Sequence, residues 1–197
     1  MRPRQRRPVV VATRNRHKVA ELGAILTAMD LVPLPESVAL PPEEGETFAA
    51  NALGKARAAH AATGRPAIAD DSGIVAGALG GRPGIHSARY AGPDAGDAEN
   101  LALLLERMRS AEDRSVAYVC AIAYVDAEGE IVREARCEGT LTEHPRGEGG
   151  FGYDPAFVPD DLEGGRTMAE IDAAEKHSIS HRGRAARAIA AAIDESR

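Results

Sequence analysis

The stretch VVVATRNRHKVAEL, residues 9–22, joins an apolar strand to an amphipathic helix. Val9 to Val11 form an unbroken apolar run, as expected of a buried strand. Apolar residues then recur at positions 22, 25, 26 and 29, which is the i, i+3, i+4, i+7 spacing of a helix with one buried face. Asn15 lies between the two patterns and is a favoured helix N-cap. The sequence therefore predicts a strand, a short loop and a helix from about Arg16 to Met29.

The loop before this helix carries an excess of positive charge, contributed by Arg14, Arg16, His17 and Lys18. A helix N-terminus is already partly positive and prefers Asp or Glu in its first turn. An external anion would relieve the repulsion, since free N–H groups, the helix dipole and nearby cations together form a phosphate site. Solvated surface charges, each costing about a few tenths of a kcal/mol, are the alternative. This stretch alone leaves both interpretations open.

Length and composition limit the classes of protein to which the chain can belong. Its 197 residues suffice for one domain with two lobes, which we expect over 8–197. The Arg-rich and Pro-broken start predicts a flexible arm over 1–7. The net charge of −6 argues against a general nucleic-acid binder, and no apolar run is long enough to cross a membrane. Cys120 and Cys137 lie diagonally on a predicted hairpin, which favours buried thiols in a reducing cytoplasm over a disulfide.

Strand and helix patterns alternate along the first half of the chain, which predicts an α/β protein with a mixed sheet. Two long strands are expected to form a hairpin around the turn at residues 126–129. The segments 35–45 and 147–152 have the Pro, Glu and Gly content of loops. A short apolar piece at 31–34 follows the first helix. Beyond it, we expect strands at 67–69, 116–125 and 131–138, and helices at 47–62, from Asp97 and at 183–194.

Two motifs of the sequence lack the context that would give them a function. GEGGFG, residues 147–152, matches the dinucleotide fingerprint, but it has neither a strand before it nor a helix after it. No Walker A sequence is present, so any nucleotide is bound by another route. His177 and His181 have the i, i+4 spacing of a zinc site on a helix, but no third ligand lies near and Ser178, Ser180 and Gly183 favour a loop or cap.

Acidic residues at two places suggest a metal site. Asp70 and Asp71 close the predicted strand at 67–69, and neighbouring strand residues point to opposite faces, so one carboxylate is expected to face a ligand. Glu43 and Glu44 lie in a loop that can supply another. A few carboxylates together with substrate phosphates are the usual protein site for Mg²⁺. A local turn before Gly73 with solvated glutamates remains the alternative.

Six blocks of the sequence occur in a fixed order along the chain: ATRNRHKVAEL, EEGETFAANALGKA, ADDSG, PGIHSARYAG, GGFGYDPAF and AEKHSISHRG. Taken together, these blocks resemble the inosine triphosphate pyrophosphatase family. The resemblance runs from Val9 to the last helix, and it implies a homodimer whose elongated mixed β-sheet is flanked by helices, with two lobes and a deep central cleft. It also implies Mg²⁺-dependent, cytoplasmic hydrolysis of non-standard purine nucleoside triphosphates such as ITP, dITP and XTP, which keeps them out of DNA and RNA.

The resemblance also implies roles for individual residues. Asp71 is the proton acceptor and a Mg²⁺ ligand, and Glu43 is the second metal-linked carboxylate, although the adjoining Glu44 leaves that register open. Ser72 touches the substrate, and Lys55 is a further cation for the phosphates. Arg16 and His17 replace the small residues common in the family, which leaves the charge of this loop open. The triphosphate is assigned to Thr13, Arg14, Asn15, Arg16, His17 and Lys18, and the base and sugar to Phe151, Gly152, Tyr153, Asp154, Lys176, His181 and Arg182.

Two other functions remain to be weighed. A non-catalytic nucleotide-binding protein on the same scaffold could dispense with Asp71 and Glu43, but both are present. A pyrophosphatase for modified pyrimidine triphosphates is disfavoured by the pair His181–Arg182, whose donors suit the C6 oxygen of hypoxanthine or xanthine.

Overall fold

The structure, a computed structural model, describes residues 8–196, so the predicted arm at 1–7 lies outside the described residues. Over this range the chain forms six strands in one mixed sheet. The strands are β1 (Val9–Val11), β2 (Leu31–Pro33), β3 (Ala67–Ala76), β4 (Ser115–Val125), β5 (Glu130–Leu141) and β6 (Phe157–Pro159), in the sheet order β2-β1-β3-β4-β5-β6. The helices are α1 (Arg16–Ile25), α2 (Phe48–Thr63), α3 (Asp97–Arg107), α4 (Ala173–Ile179) and α5 (His181–Glu195).

The first strand and helix confirm the prediction from residues 9–22. β1 is fully buried and pairs in parallel with β2 and β3, through Val10↔Val32 and Val10↔Ala67. α1 begins at Arg16 after the N-cap Asn15, as predicted, but ends at Ile25 instead of Met29. The helix stops early because the chain has to reverse before Asp30, whose carbonyl accepts a hydrogen bond from the Val9 amide at the start of the parallel pair.

The prediction that Asp70 and Asp71 close a strand is wrong, because β3 continues from Ala67 to Ala76. The sequence Asp-Asp-Ser-Gly has the composition of a turn. Its neighbours decide otherwise: Ile74 and Ala76 are fully buried, and the Ile74 amide donates to Ser87 Oγ at 2.9 Å. Both carboxylates therefore lie inside a strand, and the local turn considered as the alternative is excluded.

The hairpin forms as predicted, with longer strands. The Asp126 amide donates to the Gly129 carbonyl at 3.0 Å, and the Asp126 carboxylate caps the turn. β5 extends to Leu141 because its last residues pair with β6, a strand that the sequence pattern did not predict. Cys120 and Cys137 are buried thiols, in line with the prediction.

The remaining helices agree with the sequence only in part. α2 follows the N-cap Thr47 and ends at Thr63, while α3 begins at Asp97, both close to the prediction. α5 begins at His181 instead of Gly183, and α4 is a short helix that the sequence pattern did not predict. His177 and His181 do not share a helix, because Ser180 has an extended backbone between α4 and α5. The spacing that suggested zinc is therefore not a spacing on one helical face.

The chain divides into two compact units. The first unit comprises the described parts of Met1–Asp71 and Ala185–Arg197 with Ala121–Glu134, and the second comprises Ser72–Cys120 and Ala135–Arg184. In the second unit a buried core forms around Ile74, Leu104, Tyr118, Phe157 and Met168. Among the described residues, no helix is both long and apolar enough to cross a membrane.

Candidate active site

The cationic loop, residues 13–18, follows β1 in the first unit at a position suited to anions. β1 lies between β2 and β3 in the sheet, so the chain continues from β1 to β2 on one side and then to β3 on the other side of β1. Such a topological switch point is where open α/β sheets bind ligands. The Asn15 side chain accepts from the amides of His17 and Lys18 at 3.0 and 3.3 Å, and Thr13 Oγ1 accepts from the Asn15 amide at 3.2 Å. Arg16 and His17 are exposed, so the loop presents positive charge to solvent.

Arg14 differs from its neighbours in the cationic loop, because its guanidinium is occupied by backbone carbonyls. A guanidinium has five donors in a fixed fork. Here Nη1 donates to the Leu34 carbonyl at 3.1 Å, while Nη2 donates to the carbonyls of Pro35, Glu36 and Val38 at 2.8, 3.2 and 2.9 Å. The geometry thus ties the cationic loop to residues 34–38, and the assignment of Arg14 to the triphosphate stays a prediction.

Asp70 and Lys18 form a close ion pair. Asp70 is fully buried, and Lys18 Nζ lies 3.1 Å from its Oδ2. A buried carboxylate needs such a partner, since an uncompensated buried charge is strongly destabilising. The sequence left the role of Asp70 open, and the structure gives it a contact with the last cation of the loop.

Asp71 belongs to an acidic cluster on the other side of the same strand, which we define as Asp71, Glu43 and Lys55. Lys55 Nζ lies 2.5 Å from Glu43 Oε1 and 3.9 Å from Asp71 Oδ1. Glu43 is half-buried while Glu44 is exposed, so Glu43 is the loop carboxylate that joins the cluster. Right-handed connections place α1 and α2 on opposite faces of the sheet, in accord with Asp70 contacting α1 and Asp71 contacting α2.

The electrostatics of the acidic cluster displace two pKa values. Burial raises the pKa of Asp71 above its usual value and Glu43 adds to this, although Lys55 and a hydrogen bond from Asn51 act in the opposite direction. For Lys55, burial by itself lowers the pKa, but attraction by Asp70, Asp71 and Glu43 outweighs it and raises the pKa overall. A buried carboxylate with a raised pKa beside a fixed cation is typical of a functional site.

The donor chemistry of the acidic cluster fits Mg²⁺. Asp71 and Glu43 offer hard carboxylate oxygens, and a single ammonium group bridges them where a cation is electrostatically favoured. Over residues 8–196, no group of three or more His, Cys, Asp or Glu side chains is arranged to hold a metal. Mg²⁺ is usually bound by one or two carboxylates plus substrate phosphates, so two carboxylates are consistent with this ion.

In the second unit, Asp154 collects three hydrogen bonds. Its Oδ2 accepts from Lys176 Nζ at 2.7 Å and from the Phe151 amide at 2.9 Å, while Oδ1 accepts from the Tyr118 hydroxyl at 3.1 Å. Gly150 has φ of +70°, and a Cβ at this position would collide with the Asp154 carboxylate. Asp154 therefore shapes the loop that carries Phe151 and holds Lys176 beside it.

Arg182 and His181, the first two residues of α5, lie close to the side chains that surround Asp154. Arg182 is 1% exposed and its Nη2 donates to Ser72 Oγ at 2.8 Å. Its guanidinium lies over the Phe151 ring at 5.7 Å, and Lys176 Nζ lies over that ring at 4.7 Å. The second unit thus brings together two cations, one aromatic ring and one hydroxyl, which are groups that can recognise a purine base.

Tyr153 and Gly152 make structural contacts. The Tyr153 hydroxyl donates to the Ser87 carbonyl at 2.8 Å inside the core. Burial raises the pKa of Tyr153, so the hydroxyl remains a donor. The Gly152 amide donates to Asp97 Oδ2 at 2.8 Å, at the start of α3. Their assignment to the substrate stays a prediction.

Sequence reasoning missed two polar residues of these groups. Asn51 donates from Nδ2 to Asp71 Oδ2 at 2.9 Å. Asn51 and Lys55 have the i, i+4 spacing of two side chains on one face of an Ala-rich helix, which could have indicated that Asn51 lies in the same site as Lys55. Tyr118 stands in the apolar strand predicted at 116–125, and that apolar pattern did not single it out. Its ring stacks on His181 at 4.4 Å with an interplanar angle of 6°, and burial raises its pKa well above the usual value.

A cavity of about 920 Å³ opens in the second unit, between α3 and residues 147–152. It touches Phe151 and Gly152 but is not lined by Asp154, Lys176 or Arg182. Apolar side chains of α3 form one wall, and the charged side chains of Arg109, Arg114 and Glu143 also line the cavity.

Comparison with known proteins identifies relatives that match nearly the whole chain. The sequence model described as the Ham1 family matches residues 9–192. The chain is 47% identical over 200 residues to a dITP/XTP pyrophosphatase of Mycolicibacterium paratuberculosis, covering 95% of this chain and 96% of that protein. It is 49% identical over 188 residues to the Mycobacterium bovis dITP/XTP pyrophosphatase, covering 90% of each.

Solved structures agree with this relationship. A HAM1 protein from Coxiella burnetii superposes with a TM-score of 0.86 at 40% identity, covering 95% of this chain and 98% of that one. That agreement confirms the predicted α/β fold with a mixed sheet flanked by helices, and the sequence matches confirm the family indicated by the six blocks. The chain therefore belongs to the Ham1 family.

Proposed function

We propose that the protein hydrolyses non-standard purine nucleoside triphosphates, ITP, dITP, XTP and dXTP, to the nucleoside monophosphate and pyrophosphate. The observation that carries this proposal is the acidic cluster, in which a buried carboxylate with a raised pKa lies beside Glu43 and Lys55. The two mycobacterial relatives support it, since both are named dITP/XTP pyrophosphatases. Removal of these nucleotides in the cytoplasm would prevent their incorporation into DNA and RNA.

Asp71 is the proposed base. Its raised pKa suits a group that accepts a proton from the water attacking the α-phosphorus, or that orients this water. Asp71 and Glu43 would hold Mg²⁺, which when bound neutralises charge on the phosphate oxygens. Lys55 and Lys18 stabilise the negative charge of the departing pyrophosphate, together with the amides at the start of α1.

Base selection is assigned to the second unit. Hypoxanthine and xanthine carry an acceptor oxygen at C6, whereas adenine carries an amino donor there. Arg182 and His181 supply donors, so adenine would leave donors facing donors, and sites built on such hydrogen bonds reject the wrong group by orders of magnitude. Guanine shares the C6 oxygen, so its exclusion has to arise at the 2-position. Phe151 supplies the ring face for stacking.

Two other functions are less well supported. A non-catalytic nucleotide-binding protein has no need of a buried carboxylate with a raised pKa beside a second carboxylate, yet Asp71 and Glu43 form such a pair. A pyrophosphatase for modified pyrimidines would not need the buried donor Arg182 at the proposed base site. A homodimer, implied by the family resemblance, is part of the proposal and is tested by light scattering on the purified protein.

The test of the reaction is product analysis. Purified protein with Mg²⁺ is incubated separately with ITP, XTP, GTP, ATP and TTP, and the products are followed by phosphorus NMR. We expect pyrophosphate and a monophosphate from ITP and XTP, with slower turnover of the other three. Inosine diphosphate with orthophosphate as the first products would contradict the proposal. Asp71→Asn serves as the control for a contaminating phosphatase.

A further inference from the structure

Asn51 is a buried polar residue on α2 whose side-chain amide touches two different segments of the first unit. Only 5% of it is exposed. Its Oδ1 accepts a hydrogen bond from the Gly45 amide at 2.8 Å, and its Nδ2 donates to Asp71 Oδ2 at 2.9 Å. One side chain therefore links the loop that carries Glu43 to the strand that carries Asp71.

The chemistry of these two partners determines how the amide is oriented. The Gly45 N–H can only donate, so it has to face the amide oxygen, and the amide nitrogen then faces the carboxylate. Asp71 Oδ2 is consequently engaged as an acceptor, while Oδ1 is the oxygen directed towards Lys55 at 3.9 Å. The amide thus determines which Asp71 oxygen faces the acidic cluster.

The contact with Gly45 bears on Glu43, which lies two residues earlier in the same loop. Space around Gly45 is limited, since a Cβ added there would lie 2.7 Å from Asn51 Oδ1. The loop backbone is therefore packed against the amide, which limits the positions that Glu43 can adopt. Glu43 and Asp71 come from separate segments, and within the described residues Asn51 is hydrogen-bonded to both of those segments.

We propose that Asn51 is a positioning residue that holds Glu43 and Asp71 at the separation needed to bind the divalent cation. Both polar atoms of its side chain are engaged by Gly45 and Asp71, so it acts through the segments that carry the two carboxylates. Groups that orient metal-binding side chains typically change metal affinity or activity about 10- to 100-fold when they are removed. This inference rests on the proposed assignment of Asp71 and Glu43 to the metal.

The experiment measures Mn²⁺ binding to the nucleotide-free protein by electron paramagnetic resonance, in the wild type and in Asn51→Ala. Alanine suits the Ala-rich helix α2 and has the highest helix propensity, so the helix is retained. We expect the Mn²⁺ dissociation constant to rise about 10- to 100-fold. ITP hydrolysis should fall at low Mg²⁺ and recover as Mg²⁺ is raised, because the defect lies in metal binding.

Asn100→Ala is the matched control. Asn100 is also a buried helical asparagine that bridges loop segments, since its Oδ1 accepts from the Ala91 amide at 2.8 Å and its Nδ2 donates to the Ala88 carbonyl at 3.2 Å. It lies in the second unit, so its loss should lower thermal stability without changing Mn²⁺ affinity. Asn51→Ser is a second variant, whose hydroxyl is too short to span both partners, and it should behave as Asn51→Ala does.

The outcomes separate this inference from the proposed function. If the wild type fails to bind Mn²⁺ or to hydrolyse ITP, the proposed metal-dependent function is wrong. If the wild type binds Mn²⁺ and both Asn51 variants bind it equally well, Asn51 does not position the carboxylates. An equal loss of affinity in Asn100→Ala would overturn the inference as well, because the effect would then follow from general destabilisation.

Discussion

Lys55 Nζ lies 2.5 Å from Glu43 Oε1, so an ammonium group occupies the position between the two carboxylates proposed to bind the metal. The same nitrogen lies 3.9 Å from Asp71 Oδ1. One ammonium group can neutralise only one of the two carboxylates, whereas a divalent cation can neutralise both, so Lys55 and the cation compete for the same oxygens. In the proposed reaction, a metal bound by Asp71 and Glu43 would leave Lys55 available to the phosphates.

We predict that Lys55→Met raises Mn²⁺ affinity of the nucleotide-free protein by about tenfold or more. A unit charge at about 4 Å is worth about 4 kcal/mol at an effective dielectric constant of about 20, so its removal favours the incoming cation. Turnover of ITP should fall nevertheless, because the leaving pyrophosphate loses a cation. Lys176→Met is the control, since it breaks a buried pair with Asp154 at 2.7 Å in the other unit and should leave Mn²⁺ affinity unchanged.

Asp71→Asn is expected to lower ITP turnover by at least the factor of about 10²–10⁴ typical of a general base. Nucleotide binding should largely survive, because the cationic loop and Arg182 remain. Asp70→Asn should retain chemistry and instead lower stability by about 1.5–3 kcal/mol, since Lys18 loses its charged partner. Single-turnover hydrolysis beside calorimetric ITP binding measures both, and an inactive Asp70→Asn with an active Asp71→Asn would reverse the assignment.

The raised pKa of Asp71 predicts how the stability of the metal-free protein depends on pH. The folded state binds the Asp71 proton more tightly than the unfolded chain does. Ionisation of Asp71 therefore lowers the stability of the folded state at a pH above the folded pKa, and Asp71 has no such effect below the unfolded pKa of about 3.9. Asp71→Asn should therefore melt at a higher temperature than the wild type at pH 7, and the difference should vanish near pH 3.

Asp113→Asn is the control of opposite sign for that measurement. A side-chain hydrogen bond from Ser115, together with its backbone amide, lowers the pKa of Asp113, so its charge adds stability above the unfolded pKa. This variant should melt below the wild type at pH 7, with a difference that is lost as the pH falls through the folded pKa. Two differences of the same sign would contradict the linkage argument.

Arg182→Ala should reduce ITP turnover far more than any residual ATP turnover, because ATP presents no acceptor at C6. Loss of a hydrogen bond from a charged donor typically costs about 1.5–3 kcal/mol, which is about 10- to 100-fold in kcat/KM. Steady-state kinetics on both nucleotides provide the measurement. Equal losses on ITP and ATP would move Arg182 from the base to the phosphates or the scaffold.

Arg14→Ala should loosen residues 34–38 without removing a phosphate contact. Hydrogen exchange of this segment should become faster, because four carbonyls lose their donor. The KM for ITP should change less than in Lys18→Ala, since the Arg14 guanidinium is occupied by the backbone. If the two variants raise KM equally while exchange at 34–38 is unchanged, Arg14 contacts the triphosphate.

Local sequence determined the elements whose causes lie within a few residues. The N-cap Asn15 starts α1 at Arg16, the turn at Asp126 makes the hairpin, and Thr47 starts α2. Capping and turn formation depend on side chains that hydrogen-bond to backbone two or three positions away, so the pattern alone suffices. The family was also predicted from local sequence, because each of the six blocks is a short continuous run of residues.

Only the tertiary structure decided which charges pair. β3 runs through Asp70 and Asp71 because buried neighbours and the Ser87 hydroxyl outweigh a local preference for a turn. Arg14 binds carbonyls at 34–38, and Asn51 contacts Asp71 across 20 residues of sequence. A counterion or hydrogen-bond partner is selected by distance in space and by burial, and local propensity carries no information on either.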